Sequence, residues 1–224
     1  MKKLIQGVHK FQQEVFGTHQ ELFARLATSQ TPHTLFITCS DSRINPNMLT
    51  QAKPGEIFIL RNAGNIVPNY TDLVGGEAAT IEFAVAGLGI EHIVVCGHSN
   101  CGAIKAVLNP ELSRNLPALT KWLGHAETTR QLLNENYTDR TEDEHLNIAV
   151  QENVLLQLEN LRTHPAVAAR LAEGKLHLYG WIYKIPTGEV FAYNPIENQF
   201  LPLAEVSGEI PDSCFVAEDE KTQI

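Results

Sequence analysis

The sequence IEHIVVCGHSNCG at residues 90–102 joins a continuous apolar run to a polar turn, and the rest of the chain can be placed around it. Such a run is typical of a strand that is buried on both faces of a parallel sheet. Two similar runs lie upstream, TLFIT at 34–38 and IFIL at 57–60. A segment with helical periodicity at 75–88 separates the second run from the third. Strands that alternate with helices indicate an α/β fold.

The second half of the chain continues this alternation. Apolar residues recur at helical spacing through 116–163, with a polar loop predicted at 134–144. Residues 176–184 then read as a further strand, and 190–193 as its hairpin partner after the turn at 186–188. We therefore expect a mostly parallel central β-sheet flanked by helices, with an antiparallel strand near the C-terminus.

The two ends of the chain differ from this centre. Residues 1–28 read as a helical arm of two helices, the second beginning at a Thr-x-x-Glu capping box, Thr18-His19-Gln20-Glu21. Residues 29–203 form the predicted α/β core, and 204–224 an acidic tail. With no repeat or linker visible, we expect one domain over all 224 residues.

Composition narrows the class of protein. The chain has 17 Lys and Arg against 26 Asp and Glu, a formal charge of −9, so it lacks the basic surface of a nucleic-acid-binding protein. Its start lacks the apolar core of a signal peptide, and no stretch of about 18 uncharged apolar residues could span a membrane. Four cysteines are too few for a disulfide scaffold. We expect a cytoplasmic protein with free thiols, no nucleic-acid partner and no membrane attachment.

Three side chains with metal-ligand chemistry follow two of the predicted strands. Cys39 ends the first, and His98 and Cys101 end the third. The carboxyl ends of parallel strands meet at one edge of a sheet, which is where ligands bind. Two thiolates and an imidazole form the ligand set of a catalytic zinc with one open position. By contrast, Cys96 continues an apolar run and is predicted to be a core residue, and Cys214 an idle thiol in the tail.

An acid and a base stand next to the first predicted ligand. Asp41 and Arg43 lie two residues apart, so in an extended segment they project to the same side. A bidentate pair would keep Asp41 ionised as a hydrogen-bond acceptor. An arbitrary Asp-x-Arg is more often an ordinary turn ion pair, but the neighbouring Cys39 favours a catalytic role.

Four segments carry a resemblance to a known family: CSDSR at 39–43, RNAGN at 61–65, GHSNCG at 97–102 and GWIY at 180–183. In this order and separation they resemble the β-class carbonic anhydrases, especially the bacterial members found with cyanate degradation and the cyanobacterial carboxysomal members. The resemblance implies reversible hydration of carbon dioxide to bicarbonate by a zinc-bound hydroxide, with one Zn²⁺ per subunit.

The resemblance also assigns residues. Cys39, His98 and Cys101 would bind zinc, and Asp41 with Arg43 would form the catalytic dyad. The implied substrate contacts are Gln30, the N–H of Gly102, and an apolar pocket of Phe58, Ala63 and Phe83. Phe83 stands where the family often has a tyrosine, so we expect the apolar contact without the hydroxyl.

One position separates two subtypes of the family. A bicarbonate-regulated subtype has a tryptophan three residues before the first zinc cysteine, where this chain has Phe36. Arg61 and Tyr183 do match the other two residues of that regulatory site. Phe36 and Gln30 favour the plant-like subtype, in which Asp41 stays paired with Arg43 rather than binding the metal.

Partners and rival functions complete the expectations. The resemblance implies a homodimer with exchanged arms, or a higher homo-oligomer, whose active sites are shared between subunits. Location inside a carboxysome is implied only for a cyanobacterial source. A phosphatase-type nucleophile would need Cys-x₅-Arg, whereas Cys39 and Arg43 are spaced Cys-x₃-Arg. The other rival is a zinc-containing docking or scaffold protein with little turnover.

Overall fold

The computed structural model describes residues 1–71 and 75–203. Its strands are β1 (Thr34–Cys39), β2 (Ile57–Asn62), β3 (His92–His98), β4 (His177–Tyr183), β5 (Val190–Asn194) and β6 (Gln199–Pro202). Its helices are α1 (Lys2–Lys10), α2 (Gln20–Leu26), α3 (Pro46–Thr50), α4 (Gly76–Glu82), α5 (Gly102–Leu108), α6 (Pro117–Leu123), α7 (Glu127–Asn136), α8 (Glu142–Arg162) and α9 (Pro165–Ala172). None of these helices is both long and apolar enough to cross a bilayer.

The strands form one sheet in the order β2-β1-β3-β4-β5-β6. The first four are parallel, and β5 and β6 are antiparallel additions. This confirms the predicted α/β architecture, with one more C-terminal strand than predicted. In the register of β1 with β3, Thr38 lies beside Cys96, one residue before Cys39 and two before His98. The ends of β1 and β3 therefore meet at the same edge of the sheet.

The long helix α8 covers one face of this sheet at close range. A Cβ at Gly97 would lie 2.9 Å from Val154 Cγ2, and one at Gly180 would lie 3.0 Å from Val154 Cγ1. Glycine at both positions lets helix and sheet approach without overpacking. On the opposite face, Cys96 is buried with Phe36 in a smaller apolar cluster. The predicted core position of Cys96 agrees with this burial.

The N-terminal arm is helical, as predicted, but its predicted capping box is wrong. The chain stays helical through a π-helical turn at Phe11–Val15 and a 3₁₀ turn at Gly17–His19. The Thr18 hydroxyl therefore donates back to the Val15 carbonyl at 2.8 Å and caps nothing. Neither α1 nor α2 has a buried residue, so the arm lies on the outside of this subunit.

A capping box does occur at the start of α8. The Thr141 hydroxyl accepts from the Glu144 N–H at 3.3 Å, and the Glu144 carboxylate accepts from the Thr141 N–H at 2.9 Å. The predicted polar loop at 134–144 is consequently shorter than expected. The predicted tail at 204–224, with Cys214, lies outside the described residues.

Candidate metal centre and active site

The structure brings together the three side chains that the sequence placed at strand ends. Cys39 is the last residue of β1, His98 is the last residue of β3, and Cys101 is the N-cap of α5. Their ligand atoms all lie within 4.8 Å of one another, and all three residues are buried. Among the described residues, no other group of three His, Cys, Asp or Glu side chains meets this criterion.

The imidazole of His98 is oriented as a metal ligand. Its Nδ1 lies 3.0 Å from the Ser99 carbonyl oxygen, and only a protonated Nδ1 can bond that acceptor. The lone pair is therefore on Nε2, which is buried and has no hydrogen-bond partner among the described residues. Metal-ligating histidines typically bond a carbonyl through the other ring nitrogen in this way. The donor set fits zinc, which takes thiolate sulfur and imidazole nitrogen.

The two sulfurs form a close pair. Cys39 Sγ and Cys101 Sγ are 3.8 Å apart, and the Gly64 N–H donates to Cys39 Sγ at 3.4 Å. The hydrogen bond from Cys101 lowers the pKa of Cys39 to about 4, against the opposing effect of burial. The same contact and burial raise the pKa of Cys101. The pair thus favours one thiolate, and a cation binding both sulfurs would displace the proton that they share.

Asp41 and Arg43 form a bidentate pair beside these ligands. Arg43 Nε donates to Asp41 Oδ1 at 2.9 Å, and Nη2 donates to Oδ2 at 2.7 Å. The Arg43 backbone N–H also donates to Oδ1 at 2.9 Å. The Arg43 side-chain bond is the main reason that the pKa of Asp41 lies far below its usual range. An ionised carboxylate oxygen, Asp41 Oδ2, therefore stands 3.8 Å from His98 Nε2.

Two further residues hold this pair in place, and sequence patterns did not assign them this role. Arg61 donates to the carbonyls of Cys39 at 3.0 Å, Asp41 at 2.8 Å and Ile44 at 3.0 Å. Asn100 has a positive φ of 56°, and its carbonyl accepts from Arg43 Nη2 at 3.1 Å. The available sequence signal for Asn100 was an asparagine in a predicted turn, because asparagine adopts the left-handed conformation more readily than most residues.

The predicted substrate contacts are less complete. The Phe58 and Phe83 rings pack with centroids 6.1 Å apart, but Phe83 remains 51% exposed. Ala63 is half-buried in the loop after β2, and Gly102 is exposed at the first turn of α5. Gln30 is exposed between α2 and β1 and makes no hydrogen bond to a described residue. Three of these five residues, Phe83, Gly102 and Gln30, are therefore exposed in a single subunit.

Comparison with known proteins decides the family. A sequence model described as carbonic anhydrase matches residues 34–190. A solved structure, the β-carbonic anhydrase CcaA, superposes with a TM-score of 0.88 at 46% identity, over 90% of this chain and 98% of that one. The chain belongs to the β-class carbonic anhydrases.

Relatives of this β-carbonic anhydrase extend the match over nearly the whole chain. A carbonic anhydrase of Synechococcus elongatus is 46% identical over 95% of this chain and 79% of its own length. One of Pseudomonas aeruginosa is 47% identical over 92% and 93%. Two tetrameric β-carbonic anhydrases of Sordaria macrospora are represented by a structure with a TM-score of 0.77 and 30% identity, over 85% and 95%.

Proposed function

We propose that this β-carbonic anhydrase hydrates carbon dioxide reversibly to bicarbonate and a proton, with one Zn²⁺ per subunit held by Cys39, His98 and Cys101. The observation that carries the proposal is the buried, unpartnered His98 Nε2 facing two sulfurs. When bound, zinc lowers the pKa of a coordinated water from 15.7 toward ~7 and so supplies a nucleophile near neutral pH. The relatives' shared name, carbonic anhydrase, supports the same reaction.

Asp41 orients the reacting oxygen. Its Oδ1 accepts two hydrogen bonds from Arg43, whereas Oδ2 accepts one and keeps a lone pair for another donor. Arg43 keeps this carboxylate ionised. Oδ2 therefore accepts a hydrogen bond from the hydroxyl group that reacts with carbon dioxide, and this bond directs a lone pair of the hydroxyl oxygen toward the substrate. The Asn100 carbonyl fixes Arg43, so Oδ2 is positioned before the substrate arrives.

Carbon dioxide is small and apolar, so Phe58, Ala63 and Phe83 provide an apolar pocket, while Gln30 and the Gly102 N–H bind the oxygens. The exposure of Phe83 and of Gln30 is explained if a second subunit covers them and completes the pocket. We therefore propose a homodimer or a larger homo-oligomer. The name of the tetrameric Sordaria macrospora enzymes supports such an assembly.

The plant-like subtype follows from the same contacts. Phe36 packs edge-on against Trp181, with centroids 6.0 Å apart, where the regulated subtype has a tryptophan. Arg61 donates through Nε and Nη2 to three backbone carbonyls, which anchors it beside Asp41. Asp41 accordingly stays with Arg43. We also propose a reducing compartment such as the cytoplasm, or a carboxysome within it, because four cysteines are too few for a disulfide scaffold.

The experiment is a stopped-flow carbon dioxide hydration assay with zinc analysis of the same samples. Loss of a side chain that only hydrogen-bonds a zinc ligand typically lowers zinc affinity 10–100-fold. Cys101→Ser removes a ligand itself, so we expect a larger loss of zinc affinity, and turnover should fall with it. Cys96→Ser, a buried cysteine that faces the other side of the sheet, keeps both. A Cys101→Ser protein with undiminished zinc and turnover would refute the site. Wild-type protein with zinc but no turnover would favour the docking or scaffold function.

A further inference from the structure

Helix α8 buries three side-chain amides in the protein interior. Asn153, Gln157 and Asn160 are 1%, 0% and 5% exposed. Spacings of four and three residues place them on one stripe of the helix. Buried amides are costly unless every polar group is hydrogen-bonded. Three buried amides on one stripe of α8 therefore indicate that another part of the chain supplies hydrogen-bond partners there.

Their partner is the loop that follows β2. Asn160 Nδ2 donates to Gln157 Oε1 at 3.2 Å, Gln157 Nε2 donates to Asn153 Oδ1 at 2.9 Å, and Asn153 Nδ2 donates to the Gly64 carbonyl at 3.1 Å. We call these three residues the amide ladder. Gln157 Oε1 also accepts from the Val67 N–H at 2.8 Å, and Asn160 Nδ2 donates to the Val67 carbonyl at 2.7 Å. Within the amide ladder, each NH₂ group donates to the side-chain oxygen of the preceding amide. This order leaves the Asn153 NH₂ group to donate to the Gly64 carbonyl.

Gly64 connects the amide ladder to the metal centre. Its N–H donates to Cys39 Sγ at 3.4 Å, while its carbonyl accepts from Asn153. Its φ is +84°, and a Cβ there would lie 3.2 Å from Ala103 Cβ, so the position favours glycine. The freedom of glycine also means that this residue needs outside contacts to fix its orientation. The amide ladder supplies such a contact on the carbonyl side.

We propose that the amide ladder is a positioning element for the metal centre: by holding the Gly64 carbonyl, Asn153 keeps the Gly64 N–H directed at Cys39 Sγ. This inference rests on the proposed function, because it takes Cys39 as a zinc ligand. An N–H bonded to a thiolate fixes its direction and reduces its electron donation to the metal. If the amide ladder merely attached the loop to α8, its loss would lower stability without changing the electronic environment of Cys39.

Cobalt substitution separates these two roles, because Co²⁺ reports thiolate donation through its sulfur-to-metal charge-transfer absorption. Asn153→Leu removes the donor to Gly64 at similar volume. Val154→Ala, at the neighbouring buried residue, creates a cavity where α8 packs on β3 and β4. We expect Asn153→Leu to shift the charge-transfer band and to lose metal to a chelator 10–100-fold more readily than wild type. Val154→Ala is expected to lower the melting temperature with band and metal retention unchanged.

The outcomes are distinguishable from those that test the proposed function. Wild-type protein that binds neither Co²⁺ nor Zn²⁺ would refute the proposed function itself. Wild-type protein with a charge-transfer band that Asn153→Leu leaves unchanged would overturn the positioning role alone. If Asn153→Leu does not fold, Asn160→Ala at the far end of the amide ladder carries the test. It is expected to shift the band in the same direction by less, and an unmoved band there would overturn the inference.

Discussion

At the scale of single residues, the chemistry depends on which lone pairs the fold leaves without a hydrogen-bond donor. His98 gives its Nδ1 proton to Ser99, so Nε2 is left for a cation. Asp41 accepts three hydrogen bonds from Arg43, so Oδ2 keeps one acceptor position, which the proposed function assigns to the reacting oxygen. In each side chain, the hydrogen bonds already made thus determine which atom remains available.

Replacement of Arg43 by lysine tests the orientation of Asp41. Lysine has one compact donor group and cannot reproduce the two parallel bonds of the guanidinium or the contact with the Asn100 carbonyl. Misplacement of a catalytic group by about 1 Å can cost ~10²-fold. We expect Arg43→Lys to lower kcat by about that factor while zinc content stays at one per chain. Stopped-flow hydration kinetics measure this.

The matched control is Arg114→Lys, which alters an exposed ion pair with Glu111. It should leave both kcat and zinc content unchanged. If Arg43→Lys turned over as fast as Arg114→Lys, Asp41 would not need the bidentate pair. If Arg43→Lys lost its zinc, Arg43 would support the metal centre rather than orient the carboxylate.

The sequence predicted the three residues of the candidate metal centre but not the residues whose hydrogen bonds support it. Cys39, His98 and Cys101 could be predicted because strand ends converge at a known edge of a parallel sheet. Arg61 and Asn153 could not, because their partners are backbone carbonyls whose directions depend on loop conformation. No sequence pattern identifies the backbone carbonyl to which an amide or guanidinium group in a helix or strand will donate.

At the scale of elements, continuous apolar runs fixed the parallel strands to within about two residues. The strands that lie in the middle of the sheet need such runs, so β1, β3 and β4 were predictable. The edge strand β6 is four residues long and was missed, because so short a segment shows no period. Thr18 was misassigned because a hydroxyl inside a continuing helix bonds backward, to Val15, instead of capping.

The capping box of α8 gives a prediction at this scale. Thr141→Ala removes the acceptor for the Glu144 N–H and should lower the free energy of unfolding by about 1 kcal/mol. The Thr141 N–H and the Thr141 hydroxyl both lower the pKa of Glu144, and Thr141→Ala removes the hydroxyl, which donates to Glu144 Oε2 at 2.8 Å. The stability from this hydroxyl bond is present above the ordinary pKa of a glutamate and is lost as pH falls. The difference between wild type and variant should therefore narrow below about pH 4.

Urea unfolding at fixed protein concentration measures this difference. Thr138→Ala, an exposed threonine in the loop before α8, is the control and should stay within about 0.5 kcal/mol of wild type. Equal unfolding of the two variants at neutral pH would show that the capping box does not stabilise α8. A difference that grew as pH fell would contradict the sign given for Glu144.

At the scale of the whole molecule, seven of the thirteen exposed large apolar side chains among the described residues lie in the arm. The exposed apolar side chains of the arm include Leu4, Ile5, Val8, Phe11, Val15 and Phe16. Phe83, which belongs to the predicted substrate pocket, is exposed as well. A contiguous apolar patch on a monomer marks an interaction site. The arm was predictable from its helical period, whereas its packing partner depends on the assembly.

Charges placed on the arm test the proposed assembly. Val8→Asp combined with Phe11→Asp should reduce the mass measured by light scattering by about half or more, because burying two carboxylates in an apolar interface is costly. Turnover should fall with the mass if the second subunit completes the pocket. Leu112→Asp, an equally exposed leucine outside the arm, should keep the wild-type mass. A double variant with wild-type mass would exclude the arm from the interface.

The most direct test of the central claim is a zinc titration of the chelator-stripped protein, followed by carbon dioxide hydration. If Cys39, His98 and Cys101 hold the one catalytic zinc of each subunit, hydration activity should be absent without zinc. It should then rise in proportion to added zinc and level off at one zinc per chain. Hydration by the zinc-free protein, or saturation with one zinc per chain without hydration, would contradict the proposed function.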